Sequence, residues 1–283
     1  MHDPRLTPAR GDIAAKYLQG KLAAARFVEG DEFEICQSIA PLREAPAAEA
    51  TLLTQALKGE RVTIYDRNSQ GWAWGQLKSD GYVGFLPEAA LARPALSPTH
   101  KVTALRTFAF PRPAIKLPPS ETLVMGSLVT MLRLEEVFAV TCEGWFVPSA
   151  HLSGLESFAP DFVAVAERFL GTPYLWGGKS SLGIDCSGLV QIALNAADID
   201  CPRDSDMQQE AIGRPLDAYA PGRLQRGDLV FWNGHVAIAR DAQTIVHASA
   251  FHMQTVIERT SEAIARILAA GGAIVAIKRL QLS

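Results

Sequence analysis

The sequence predicts an α+β protein: a short helical lead, two small all-β barrels, and a C-terminal α+β domain. Three observations predict it. The first half contains an internal repeat, the residue pattern changes character past Phe158, and the second half places helical periodicity ahead of antiparallel strand signals. The corresponding segments are 1–33 (helical), 34–95 and 96–155 (barrels), and 156–283 (α+β).

In residues 12–27, DIAAKYLQGKLAAARF, apolar positions recur at helical spacing after a Pro and a Gly, which predicts the leading helix. From about Phe33 the chain breaks into short strand-like runs separated by turns, as in EFEICQSIA, ERVTIYD, GWAWGQLK and GYVGFLP. Gly59, Val62 and Thr63 recur as Gly126, Val129 and Thr130. Likewise, Phe85-Leu86-Pro87-Glu88-Ala89-Ala90-Leu91 recurs as Phe146-Val147-Pro148-Ser149-Ala150-His151-Leu152. Two copies of one all-β module follow.

Past Phe158, DFVAVAERFLG reads as a helix with Asp161 at its start and Gly171 just past its end, and Thr172-Pro173 forbids continuation. A second helix is expected from Cys186 to about Ala197, with Leu189, Val190, Ile192, Ala193 and Leu194 on its buried face. Strands GDLVFW, HVAIAR and TIVHAS follow, then a helix SEAIARILAAG and a closing strand AIVAIKRL.

A formal charge of −3, with no cluster of Lys and Arg, argues against nucleic acid as a partner. No apolar run approaches the ~20 residues of a membrane span. The first 33 residues mix acids and bases and lack the apolar core and cleavage site of a secretory signal. Residence in the cytoplasm is therefore expected, with periplasmic or secreted placement as the alternative. Cys36, Cys142, Cys186 and Cys201 are too few for a disulfide scaffold and lack metal-ligand spacing, so neither a metal nor another cofactor is expected.

One of these thiols stands where chemistry is possible. A cysteine nucleophile needs an electropositive setting, and the first turn of a helix supplies unpaired N–H groups and the positive end of its dipole. In Gly183-Ile184-Asp185-Cys186-Ser187-Gly188, Asp185 can cap the helix while the small Ser187 and Gly188 leave the sulfur uncovered. Taken alone, such a cysteine is more often a buried structural thiol. Two histidines change that weighting. Asn233-Gly234 is a strong hairpin signal that sets His235 at the first residue of a strand. If HVAIAR and TIVHAS pair through the loop Asp241-Ala242-Gln243, His247 lies opposite Ala237 and diagonal to His235 on one face. A loop one residue shorter would put the two histidines on opposite faces. His235 then takes the Cys186 proton and His247 orients its ring, while the helix-start N–H groups serve as oxyanion donors.

Gly171-Thr172-Pro173-Tyr174-Leu175-Trp176-Gly177-Gly178, Asp185-Cys186-Ser187-Gly188, Pro202-Arg203-Asp204-Ser205, Arg226-Gly227-Asp228, Gly234-His235-Val236 and Val246-His247-Ala248 together resemble the NlpC/P60 cysteine peptidases, across essentially all of residues 159–280. The two barrels resemble bacterial SH3-like (SH3b) domains. The resemblance implies a papain-like catalytic fold with Cys186, His235 and His247 as triad. It also implies peptidoglycan stem peptides as substrate, cut between D-Glu and the diamino acid of L-Ala-γ-D-Glu-diamino-acid peptides (diaminopimelate or Lys). Substrate contacts implied with it are Tyr174, Asp204 and Ser205, with Asp185, Ser187 and Arg203 beside them and Tyr82 contributed by the first barrel. Without it, Tyr174 and Trp176 could simply pack a helix junction, Arg203-Asp204-Ser205 could be a solvated turn, and Tyr82 could be a core residue. Recycling of small peptides is the expected role; an exported wall-remodelling hydrolase and a non-catalytic wall-peptide binder are the alternatives.

Overall fold

The fold is described from a computed structural model that covers residues 2–216 and 222–280. The chain forms two compact units, Met1–Ser157 and Phe158–Ser283.

The first unit is all-β. Its larger sheet has seven strands in the order Leu52–Leu57, Ile39–Arg43, Val83–Pro87, Trp72–Leu77, Arg61–Arg67, Asp31–Ile35 and Leu91–Ala92. Burial alternates along Ile39–Arg43 and Arg61–Arg67, so Ala40, Leu42, Val62 and Ile64 face inward, as a period of two requires. The second module is built from smaller sheets around Val102, Ala109, Leu123, Val129 and Val147. The repeated closing motif takes the same local path in both places. The strands Val83–Pro87 and Phe146–Pro148 each run into a 3₁₀ turn, Glu88–Ala90 and Ser149–His151, and then into another strand. Gly59 and Gly126 both have positive φ, 82° and 91°.

The expected leading helix is absent. Residues 13–28 instead form a strand Ile13–Ala15, a 3₁₀ turn Lys16–Leu18 and a strand Arg26–Val28 that pairs parallel to the first. Two physical facts override the helical spacing. Gly20 adopts φ +83°, which ends any helix there, and the consecutive Ile13, Ala14 and Ala15 are all fully buried. Ile13 packs with Trp74 and Val83 of the barrel, while Ala14, Ala15 and Leu18 pack with Leu22, Phe27 and Tyr65. Tertiary contact, not local preference, decides this segment.

The second unit is α+β. Helix α1 (Phe162–Glu167) is capped by Asp161, whose carboxylate accepts from the N–H groups of Val163 and Ala164. Helix α2 (Cys186–Ala196) is buried over its first nine residues, and α3 (Ser205–Ala211) follows. The antiparallel sheet comprises β1 (Leu229–Trp232), β2 (His235–Ala239), β3 (Thr244–Ser249), β4 (Gln254–Arg259) and β5 (Ile274–Arg279), with α4 (Thr260–Ala269) between β4 and β5. Its order is β5-β1-β2-β3-β4, extended beyond β5 by the two-residue strand Arg214–Pro215. Strand β4 is an element that the sequence pattern did not reveal. Ala263 of α4 packs with Val230, Trp232, Ala237 and Ile245 on one face of this sheet. Among the described residues no helix is long and apolar enough to cross a membrane.

Candidate active site

Asp185 anchors the start of α2. Its carboxylate accepts from the N–H of Gly188 at 2.7 Å and of Gly177 at 2.8 Å, which removes one of the four unpaired donors at the helix start. Arg203 locks it in place: Nη1 donates to Asp185 Oδ1 (2.9 Å) and Nη2 to Oδ2 (2.7 Å), a fork-to-fork pair, with further bonds to Ser187 Oγ and the Gly178 carbonyl. The close approach that this needs leaves no room for side chains. A Cβ on Gly188 would lie 2.3 Å from the Gly178 carbonyl oxygen, and one on Gly178 would lie 2.5 Å from that of Gly183.

This clamp presents Cys186 at the first position of α2, where its own N–H has no intrahelical acceptor and can face a developing oxyanion. The backbone N–H groups of Val236 and Ser187 point at its sulfur. Val236 follows His235, so the thiol lies beside the first residues of β2. Burial, and next the Asp185 carboxylate, push the Cys186 thiol up to about 12.

The β2–β3 register pairs Ile238 with Val246 and Ala239 with Ile245, and by the alternation of side chains His235 and His247 fall on one face. The rings meet: His235 Nε2 lies 2.8 Å from His247 Nδ1, with ring centroids 5.0 Å apart. His235 Nδ1 is the ring nitrogen left over for another partner. The Trp232 ring flanks His235 at 5.6 Å. Burial, then the neighbouring His247, takes the His235 imidazole down to about 3; burial, then Arg266, takes His247 down to about 3. Burial thus disfavours charge on the thiol and on both rings.

The hydrogen-bond chain continues past the histidines. In the β3–β4 register His247 faces Val256, so Glu258, two residues on, is its diagonal neighbour on the same face. His247 Nε2 lies 3.1 Å from Glu258 Oε2, and Arg266 of α4 donates to both Glu258 oxygens, at 2.6 and 3.2 Å. Glu258 and Arg266 are not expected from the sequence, because strand β4 is not. The available signal was the alternation Gln254, Val256, Glu258 directly after a strand. His247, His252 and Glu258 offer ligand atoms within 4.8 Å of one another, but the Arg266 guanidinium already covers the carboxylate, which opposes a cation there.

The other expected site residues divide by burial. Tyr174 is partly buried, and its main-chain N–H donates to the Met253 carbonyl. Burial first, and then the neighbouring Cys186, raise its phenol, so it stays a donor close to the sulfur. Asp204 and Ser205 are partly exposed at the start of α3, where the Asp204 side chain makes no capping bond. Asp185, Ser187 and Arg203 are 7%, 6% and 1% exposed. For Arg203 the substrate-facing place expected from the sequence gives way to an internal one, because its guanidinium is directed into the α2 clamp. Tyr82 lies in the first unit, 3% exposed, immediately before the strand Val83–Pro87.

Residues 171–266 match the NlpC/P60 family, and residues 42–91 match the bacterial dipeptidyl-peptidase SH3 domain. The chain is 34% identical over 110 residues to the probable endopeptidase NlpC of Escherichia coli, covering 36% of this chain and 69% of that protein. This chain belongs to the NlpC/P60 family. It is also 29% identical over 205 residues to a gamma-D-glutamyl-L-lysine dipeptidyl-peptidase of Bacillus cereus, covering 64% of this chain and 60% of the relative. Against another relative, a dipeptidyl-peptidase of Lysinibacillus sphaericus, the match spans only 38% of that protein's length. An NlpC/P60 family protein of Bacillus cereus solved by crystallography shares the fold, with a TM-score of 0.72 at 22% identity over 88% of this chain and 99% of that one. Both the SH3-like strands and the NlpC/P60 catalytic fold are thereby accounted for.

Proposed function

We propose that this chain is a cysteine peptidase that hydrolyses the bond between γ-D-Glu and an L-diamino acid in peptidoglycan-derived peptides bearing a free N-terminal L-Ala. One observation carries the reading. The Cys186 thiol sits at a helix start against the Val236 amide, and the adjacent His235 is bonded through Nε2 to His247 and keeps Nδ1 for a proton.

Cys186 Sγ attacks the γ-glutamyl carbonyl carbon as its proton passes to His235 Nδ1. The Cys186 N–H, with the Tyr174 hydroxyl near the sulfur, receives the oxyanion. Collapse expels the diamino acid's amine, which takes the proton from His235, and leaves a thioester. Water, deprotonated by the same imidazole, then releases L-Ala-D-Glu and restores the thiol. Asp204 and Ser205 are proposed as substrate contacts, because they are partly exposed and polar in the loop that Arg203 anchors to the nucleophile helix. The relative's name, a γ-D-glutamyl-L-lysine dipeptidyl-peptidase, supports both the scissile bond and the free amino terminus. That terminus suits small peptide fragments rather than polymer, so peptide recycling in the cytoplasm is the cellular role we propose.

The test is incubation of the purified protein with L-Ala-γ-D-Glu-diaminopimelate and its L-Lys counterpart, with products followed by mass spectrometry beside Cys186→Ala. Release of L-Ala-D-Glu by wild type alone is expected. No release from either peptide would reject the substrate, and equal cleavage of glycan-linked peptidoglycan would reject the recycling role.

A further inference from the structure

His235, His247 and Glu258 occupy three neighbouring strands, each one diagonal step from the last, and Arg266 reaches the end of the row from α4. The chemistry of the last member constrains the others. A guanidinium only donates, and Arg266 donates to both Glu258 oxygens, so Glu258 meets His247 as a carboxylate that can only accept. His247 Nε2 therefore carries the hydrogen. In a neutral ring the other nitrogen is then an acceptor, so His247 Nδ1 takes a hydrogen from His235 Nε2 across 2.8 Å. In a neutral His235 that leaves the lone pair on Nδ1.

We infer that Glu258, held by Arg266, is a positioning residue that sets the proton direction along His247 and His235 and thereby makes His235 Nδ1 the base. The inference rests on the proposed roles of Cys186 and His235. His247 alone cannot set this direction, since an unanchored imidazole offers either tautomer to its neighbour. The anchor also explains how a buried histidine can do a task more often given to a carboxylate: the carboxylate stands one residue further along the chain of hydrogen bonds.

The experiment compares wild type with Glu258→Ala and Glu258→Asp. Three readouts are taken: steady-state kinetics on L-Ala-γ-D-Glu-diaminopimelate, the rate of Cys186 alkylation by iodoacetamide, and ¹⁵N NMR of the histidine rings. Glu258 Oε2 accepts from both His247 Nε2 and Arg266 Nη2, so alanine removes the acceptor of His247 and leaves a donor, Arg266, at that end of the row. Ring signals should move from Nε2–H toward Nδ1–H at both His247 and His235. The kcat of Glu258→Ala should fall by about tenfold to a hundredfold with KM within about twofold, and Glu258→Asp should recover part of it. Alkylation of Cys186 should slow in parallel. Wild-type ring signals in Glu258→Ala, or loss of activity that tracks only a lowered melting temperature, would overturn the inference. If wild type cleaves no stem peptide while the ring signals and alkylation respond as described, the proposed substrate fails and the positioning role stands.

Discussion

At the scale of single residues the site is governed by desolvation. Burial pushes the Cys186 thiol up, to about 12, and the His235 ring down, to about 3, so it disfavours charge on both. An imidazole in water is protonated below about 6.5, whereas this one accepts a proton only far below that. The acid limb of kcat/KM should accordingly lie well below pH 6, measured with the proposed substrate L-Ala-γ-D-Glu-diaminopimelate. A limb at the ordinary histidine value would show that His235 is solvated in the working enzyme. His247→Ala removes the partner of His235 Nε2 and should lower kcat by about a hundredfold or more, leaving KM nearly unchanged, in steady-state assays.

At the scale of elements, the position of Cys186, the proposed nucleophile, depends on the clamp at the start of α2. Asp185→Ala removes both the cap and the partner of an Arg203 that is 1% exposed. Removing one partner of a buried ion pair costs about 3–5 kcal/mol, read as a lowered urea midpoint at constant slope. Gly188→Ala meets the Gly178 carbonyl at 2.3 Å, and backbone cannot yield as a flexible side chain would. That variant should lose activity and melt lower than wild type, whereas Ala at Gly171 lacks such a neighbour and carries only the strain of its φ of +78°. The helix start and the His235 hairpin were legible because Asp185, Gly188 and Asn233-Gly234 act locally. The third member of the row was not, because Glu258 reaches His247 only through the register of a strand with a mixed pattern, Gln254–Arg259.

At the scale of the whole molecule, buried neutral histidines link stability to pH. The unfolded chain binds protons at His235 and His247 below about 6.5, while the folded one binds them only near 3. Between those values the unfolded state holds more protons, so stability falls as pH is lowered through that window and is recovered above it. Urea midpoints measured from pH 7 to 4 should decline in wild type and decline less steeply in His247→Gln. The sequence by itself determined the strand-rich first half, the α+β second half, the cysteine at a capped helix start and the histidine pair on one face. Each of these follows from periodicity, capping or turn chemistry within a few residues. Only the tertiary structure decided that Ile13–Ala15 is a buried strand rather than a helix, that Arg203 points inward at Asp185, and that Glu258 and Arg266 complete the row behind His235. Those outcomes depend on partners in other elements of the fold or on strand register, and neither burial nor register is a property of a local stretch.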